Sequence, residues 1–177
     1  MCGIAGVFGF HRQSVVDVDL IRRMNDSIIH RGPDGEGIRV GSGYALGHRR
    51  LAILDLAGGA QPMSLSDGRL WLTFNGEIYN HRELRAELEE SGATFKTNSD
   101  SEVLLHGYRA WGTGLAAKLR GMFAFVIVDE DHHELYGARD RVGKKPFYWC
   151  EHDAQFAFGS ELKVLRQLPR KWRIRPE

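Results

Sequence analysis

Residues 4 to 10, Ile-Ala-Gly-Val-Phe-Gly-Phe, are apolar at nearly every position. A strand of this kind has no wet face, so it lies inside a sheet with further layers above and below it. The rest of the chain supplies material for those layers. Leu20, Ile21, Met24 and Ile28 follow helical spacing and end at the breaker cluster His30-Arg31-Gly32-Pro33-Asp34-Gly35. Strands are expected over 37–40, 44–49 and 70–75, with a polar, Gly-rich loop over 55–68. Two central helices open at Asn80 and Ser99, each with a glutamate three residues on (Glu83, Glu102) in a capping-box pattern. Strands then follow over 122–129, 134–140, 147–151 and 155–159, joined by turns short enough for antiparallel hairpins, before a short helix over 161–168. Too few helices intervene to serve as crossovers between strands. The pattern is α+β and argues against a doubly wound parallel sheet.

The 24 Lys+Arg against 23 Asp+Glu leave a net charge of +1. That balance argues against a nucleic-acid binder working through a basic surface. No apolar run approaches the roughly 20 residues of a membrane helix, and no basic segment precedes the short apolar start as in a signal peptide. Two cysteines, Cys2 and Cys150, are too few for a disulfide framework, so a cytoplasmic location is expected. Glycine is the outlier at 21 of 177 residues, which calls for tight turns and close backbone approaches.

Cys2 carries the strongest chemical signal. If Met1 is removed, one residue presents a thiol beside a free α-amine whose ordinary pKa is near 8. Nucleophile and base then sit on the same residue. Alone, Cys2 also reads as a small apolar residue at a strand start. A nucleophile attacking a carbonyl needs donors for the developing oxyanion. Asn75-Gly76 can offer a side-chain amide and an unobstructed backbone N–H, although Asn-Gly is also a common hairpin turn. Arg50 is a candidate fork for a carboxylate, and Asp100 and Glu77 are candidates for an ammonium. Singly, each reads equally as a solvated or helix-terminal charge.

Taken together, Met1-Cys2-Gly3-Ile4-Ala5-Gly6, Arg31-Gly32-Pro33-Asp34-Gly35, His48-Arg49-Arg50-Leu51-Ala52-Ile53, Asn75-Gly76-Glu77-Ile78-Tyr79-Asn80 and Ser99-Asp100-Ser101-Glu102 occur in order. This series resembles the class II, N-terminal-nucleophile glutamine amidotransferase domain, nearest to the glutaminase half of glutamine-hydrolysing asparagine synthetases. Gly121 to Phe125 and Arg139 to Tyr148 look like the same branch, and the resemblance spans about residues 1 to 165. It implies a four-layer αββα sandwich of two antiparallel sheets. Cys2 becomes the nucleophile and Asn75 and Gly76 the oxyanion hole. Arg50, helped by backbone groups of Leu51 and Ile53, takes the glutamine α-carboxylate, and Asp100 and Glu77 take its α-ammonium. The implied reaction converts L-glutamine and water to L-glutamate and ammonia through a Cys2 thioester.

In that branch the ammonia goes to a second, ATP- and Mg-dependent synthetase domain with a Ser-Gly-Gly-x-Asp-Ser loop. No such loop occurs here, so no cofactor is expected of this chain, and residues 166–177 read as a tail or the start of a linker. The expected partners are L-glutamine and a synthetase domain or subunit, with neither nucleic acid nor membrane. Two alternatives stay open: a weakly catalytic glutamine-binding module, and an N-terminal-nucleophile amidase for another amide. The eight histidines show no metal-ligand spacing. Cys150 reads as a structural thiol, and Lys144-Lys145 as a charged loop.

Overall fold

The computed structural model describes residues 1–51 and 59–173. In chain order its first elements are β1 (Gly3–Gly9), α1 (Val18–Asp26), β2 (Gly35–Gly41) and β3 (Tyr44–Arg50). Next come β4 (Met63–Ser64), β5 (Leu70–Ile78), α2 (His81–Glu90) and α3 (Asp100–Trp111). The last are α4 (Leu115–Lys118), β6 (Gly121–Asp129), β7 (Glu134–Arg139), β8 (Tyr148–His152), β9 (Gln155–Gly159) and α5 (Leu162–Leu165).

Two antiparallel sheets result, ordered β2-β3-β1-β9-β8 and β4-β5-β6-β7. Period-two alternation sorts their side chains into three cores. Ile4 and Phe8 of β1 meet Leu46 of β3 and Ala124, Val126 and Val128 of β6 between the sheets. Ala5 and Val7, the other face of β1, pack under Leu20, Ile21 and Met24 of α1 and Val164 and Leu165 of α5. Phe123, Phe125 and Ile127 of β6 join Leu72 and Phe74 of β5 beneath Leu84 and Leu88 of α2 and Leu104 of α3. The layers are therefore helix, sheet, sheet, helix. β1 lies at the centre of its sheet and is buried along its whole length, as its apolar sequence requires.

The expected elements form, with local differences that have physical causes. Neither central helix has the reciprocal cap its sequence suggests. Asn80 sits at the N-cap of α2, but its amide is engaged elsewhere, donating to Lys118 O and accepting from Arg120 N. Ser99 does cap α3 by accepting from Ser101 N, while Glu102 turns to Lys96 N, Thr97 N and the Thr97 hydroxyl. β5 runs three residues past its expected end, and β4 lies inside the stretch read as loop. Residues 52–58, which include the start of that stretch and the expected Ile53 backbone contact, lie outside the described residues.

Candidate active site

Side-chain parity brings the candidate residues together. On β1 the residues sharing the inter-sheet face with Ile4 and Phe8 include Cys2. On β3 the same face carries His48 and Arg50. Arg49 points the other way, where its guanidinium donates to Asn25 O at 3.2 Å and pairs with Asp26 and with Glu36 at 2.8 Å. On β5, Asn75 and Glu77 project on the side of Thr73, whose hydroxyl donates across to Gly47 O of β3. Alternation thus assigns the two adjacent arginines different surroundings.

These groups open onto one cavity of about 270 Å³ lined by Cys2, Arg50, Leu51, Asn75, Gly76, Glu77 and Asp100. Every candidate from the sequence that falls among the described residues is there. Each is held by a local device. Leu51 N–H points at Cys2 Sγ from 3.4 Å, and Arg31 Nε donates to Cys2 O at 3.0 Å. Ile4, two residues on, is stapled to Ser160 by two hydrogen bonds of 2.9 Å, one in each direction. Gly32 lies so close to β3 that an added Cβ would enter the Arg49–Arg50 peptide, and Asp34 N donates to Arg50 O at 3.0 Å. The Arg31 to Gly35 motif is therefore a brace behind Arg50 that also delivers the Arg31 side chain to Cys2.

The free edge of β5 beside the cavity follows from where β4 stops. β4 pairs only with Trp71 and Leu72 of β5, so the same edge of β5 has no strand beside it farther on. Phe74 N on that edge donates to Gln61 Oε1 at 2.6 Å, and Ile78 N donates to Asp100 Oδ2 at 3.0 Å. Successive N–H groups of a strand alternate in direction. The Gly76 N–H, midway between those two, therefore points to the same edge, into the cavity. Next to it Asn75 is only 1% exposed, and its Nδ2 finds no acceptor among the described residues. A buried, unpaired donor of this kind normally costs about 1–3 kcal/mol. The glycine at 76 has a steric reason as well: a Cβ there would lie 2.7 Å from Phe123 Cα of β6. Asn75-Gly76 is accordingly inside a strand and is not a turn.

Asp100 is the first residue of α3, and burial pushes its carboxyl above the usual range, offset by the bond from Ile78 N. His48, 1% exposed, donates through Nε2 to Phe74 O at 3.1 Å; burial lowers its pKa to about 4, so it is neutral at pH 7. Three cavity residues escaped the sequence reading. Gln61 bridges Phe74 N and Ser101 Oγ. His48 was visible only as part of a motif. Lys145 corrects the reading of Lys144-Lys145 as a plain charged loop: Lys144 is exposed, but Lys145 is 6% exposed and lines the cavity. Among the described residues, no group of three or more His, Cys, Asp or Glu could hold a metal. No helix among them is long and apolar enough to cross a membrane.

Comparison with known proteins agrees with this arrangement. Asparagine synthetase [glutamine-hydrolyzing] 1 of Bacillus subtilis is 50% identical over 167 residues, 93% of this chain and 26% of that protein. The asparagine synthetase [glutamine-hydrolyzing] of Zea mays is 40% identical, over 93% of this chain and 28% of its own length. The chain thus spans about a quarter of these curated relatives. Among solved structures, the B. subtilis glutamine phosphoribosylpyrophosphate amidotransferase superposes with a TM-score of 0.75 at 26% identity, over 93% of this chain and 43% of that one. A family model described as a glutamine amidotransferase domain matches residues 1–175. A two-sheet sandwich with Cys2 at the mouth of its inner layer, extended over nearly the whole match, places this chain in the glutamine amidotransferase domain family.

Proposed function

We propose that this chain hydrolyses L-glutamine to L-glutamate and ammonia through a thioester on Cys2. The reading is carried by the single cavity that Cys2 shares with one arginine, two carboxylates and two oxyanion donors. After loss of Met1, the Cys2 amine takes the thiol proton and the sulfur attacks the side-chain amide carbon of glutamine. The carbonyl oxygen becomes an oxyanion received by Asn75 Nδ2–H and Gly76 N–H, each donor contributing about 3–4 kcal/mol of barrier. Collapse breaks the C–N bond, and the proton stored on the amine leaves with ammonia. The amine then deprotonates a water that opens the thioester, releasing glutamate and restoring the thiol.

Arg50, with the backbone of Leu51 and Ile53, is assigned the substrate α-carboxylate, and Asp100 and Glu77 its α-ammonium. Both ends of an amino acid are then matched in charge, which favours glutamine over an uncharged amide. The glutaminase unit is assigned to residues 1–165 and a tail to 166–177. Its ammonia is proposed to serve an ATP- and Mg-dependent synthetase domain or subunit of the asparagine-synthetase type, in the cytoplasm. The steps assigned to this chain use its side chains, backbone groups and terminus, with water as the second reactant.

The test is glutamate release from glutamine by the protein and by Cys2→Ala, alongside intact mass to establish loss of Met1. Equal release by the two proteins would end the proposal. Retention of Met1 in an active protein would end the role of the terminal amine.

A further inference from the structure

Lys145 is a buried ammonium in a place where nothing structural demands one. Its backbone is clamped by charged groups: Asp140 Oδ2 accepts from Lys145 N at 2.9 Å and from Phe123 N at 3.2 Å. Asp140 Oδ1 accepts from Lys144 N at 2.8 Å, and Arg139 Nε donates to Lys145 O at 2.7 Å. The loop after β7 is thereby fixed to β6, and the lysine side chain is delivered to the start of β1. There its Nζ lies 3.5 Å from Met1 Sδ, and among the described residues it forms no ion pair. Burying an ammonium against a thioether is unfavourable without compensation. Desolvation, with the nearby Arg31 guanidinium, lowers its pKa, while Cys2, Glu77 and Asp140 act the other way.

Resting on the reading of Cys2 above, we propose that Lys145 is a positioning residue whose charge keeps the freed Cys2 amine unprotonated and ready to accept the thiol proton. An unperturbed α-amine is largely protonated at neutral pH and cannot serve as a base in that form. Every element around the terminus contributes to the local charge. Arg31 of the turn after α1, Arg50 at the end of β3 and Lys145 are cationic, whereas Glu77 of β5, Asp100 of α3, Asp140 after β7 and Glu161 before α5 are anionic, and Glu161 Oε1 pairs with Arg31 Nη1 at 3.1 Å. His48 of β3 is neutral at pH 7. Two cations flank the start of β1: Arg31, bonded to the Cys2 carbonyl oxygen, and Lys145, whose Nζ meets Met1 Sδ and which lines the same cavity as Cys2. A further positive charge beside them is disfavoured. Lys145 acts on the reaction only through Cys2.

The experiment compares wild type, Lys145→Met and Lys145→Arg, all verified by mass to lack Met1. It records kcat/KM for glutamine hydrolysis across pH, together with the rate of Cys2 alkylation by iodoacetamide. The expected result for Lys145→Met is an acid limb moved upward by about one pH unit. Activity then falls about tenfold on the acid side and stays near wild type on the alkaline plateau. The alkylation profile should move the same way, and Lys145→Arg should keep the wild-type limb. An unmoved limb in a folded Lys145→Met protein overturns the inference. If that variant fails to fold, Lys145→Gln decides by the same reading. Cys2→Ala separates the two ideas: turnover surviving in Cys2→Ala removes the Cys2 reading, whereas an inert Cys2→Ala with an unmoved Lys145→Met limb removes only the role of Lys145.

Discussion

The two ends of β1 share a sandwich and are finished in opposite ways. At the Gly9 end, the Tyr44 hydroxyl donates to Glu130 Oε1 at 2.5 Å and Arg39 donates to the same oxygen at 3.1 Å. The Arg39 guanidinium lies over the Trp71 ring, and His133 stacks on Phe8 while donating to Gly9 O at 3.0 Å. Burial and the Glu130 carboxylate push the Tyr44 phenol well above its ordinary pKa, so it remains a neutral donor. That end is shut. At the Cys2 end, Asn75 Nδ2 and His48 Nδ1 have no partner among the described residues, and their neighbours face a cavity. The difference lies in the reach of one short strand: β4 covers β5 at Trp71 and Leu72 and goes no farther. Polar groups close the core where they satisfy one another. They form a site where a missing strand leaves them unsatisfied.

Substitutions at the two ends should therefore act on different observables, and the largest effects belong to the open end. Cys2→Ala should lower glutamate release by roughly 10⁴-fold or more, with a melting temperature close to wild type. Asn75→Ala should lower kcat by about 10²–10³-fold while KM stays nearly constant, because its donor is used only as the oxyanion develops. A proportional rise in KM would instead show that Asn75 holds the ground state. Arg50→Ala should raise KM by roughly 30- to 1000-fold, the equivalent of about 2–4 kcal/mol for a lost bidentate charge pair. An unchanged KM removes Arg50 from the carboxylate.

Smaller effects probe stability. His48 has a folded pKa of about 4 against an ordinary 6.5, so its neutral burial stabilises the fold fully above pH 6.5. As pH falls from 6.5 toward 4 the unfolded chain binds a proton that the native state refuses, and stability drops by up to about 1.4 kcal/mol per pH unit. Denaturant titrations of His48→Gln should lack this part of the slope, and identical slopes would contradict it. Smallest, Tyr44→Phe at the closed end should cost about 1 kcal/mol of unfolding free energy and leave both kcat and KM unchanged. Altered kinetics there would mean that the two ends are coupled.

That layers lie above and below β1 was legible because it is apolar on both faces, their αββα order came with the family resemblance, and parity along β3 and β5 was latent in the residue spacing. What could not be read was competition for side chains. Asn80 and Glu102 look like parts of capping boxes, yet distant backbone groups at Lys118, Arg120 and Lys96 claim them. Asn75-Gly76 looks like a turn from its composition alone, and only the approach of β6 at Phe123 explains the glycine inside a strand. Gln61 and Lys145 carry no local signal at all. The place of Gln61 in the cavity depends on Phe74, 13 residues on, and that of Lys145 on the Asp140 carboxylate that ties its loop to Phe123 of β6.

The position of β1 also bears on how the domain is made. β1 occupies the middle of its sheet, between β3 and β9, and the β9 side of that slot is filled only once residues 155–160 have been synthesised. Until then Cys2 stands in an unfinished setting. Competence to release ammonia should arrive abruptly, as the β8–β9 hairpin closes onto β1.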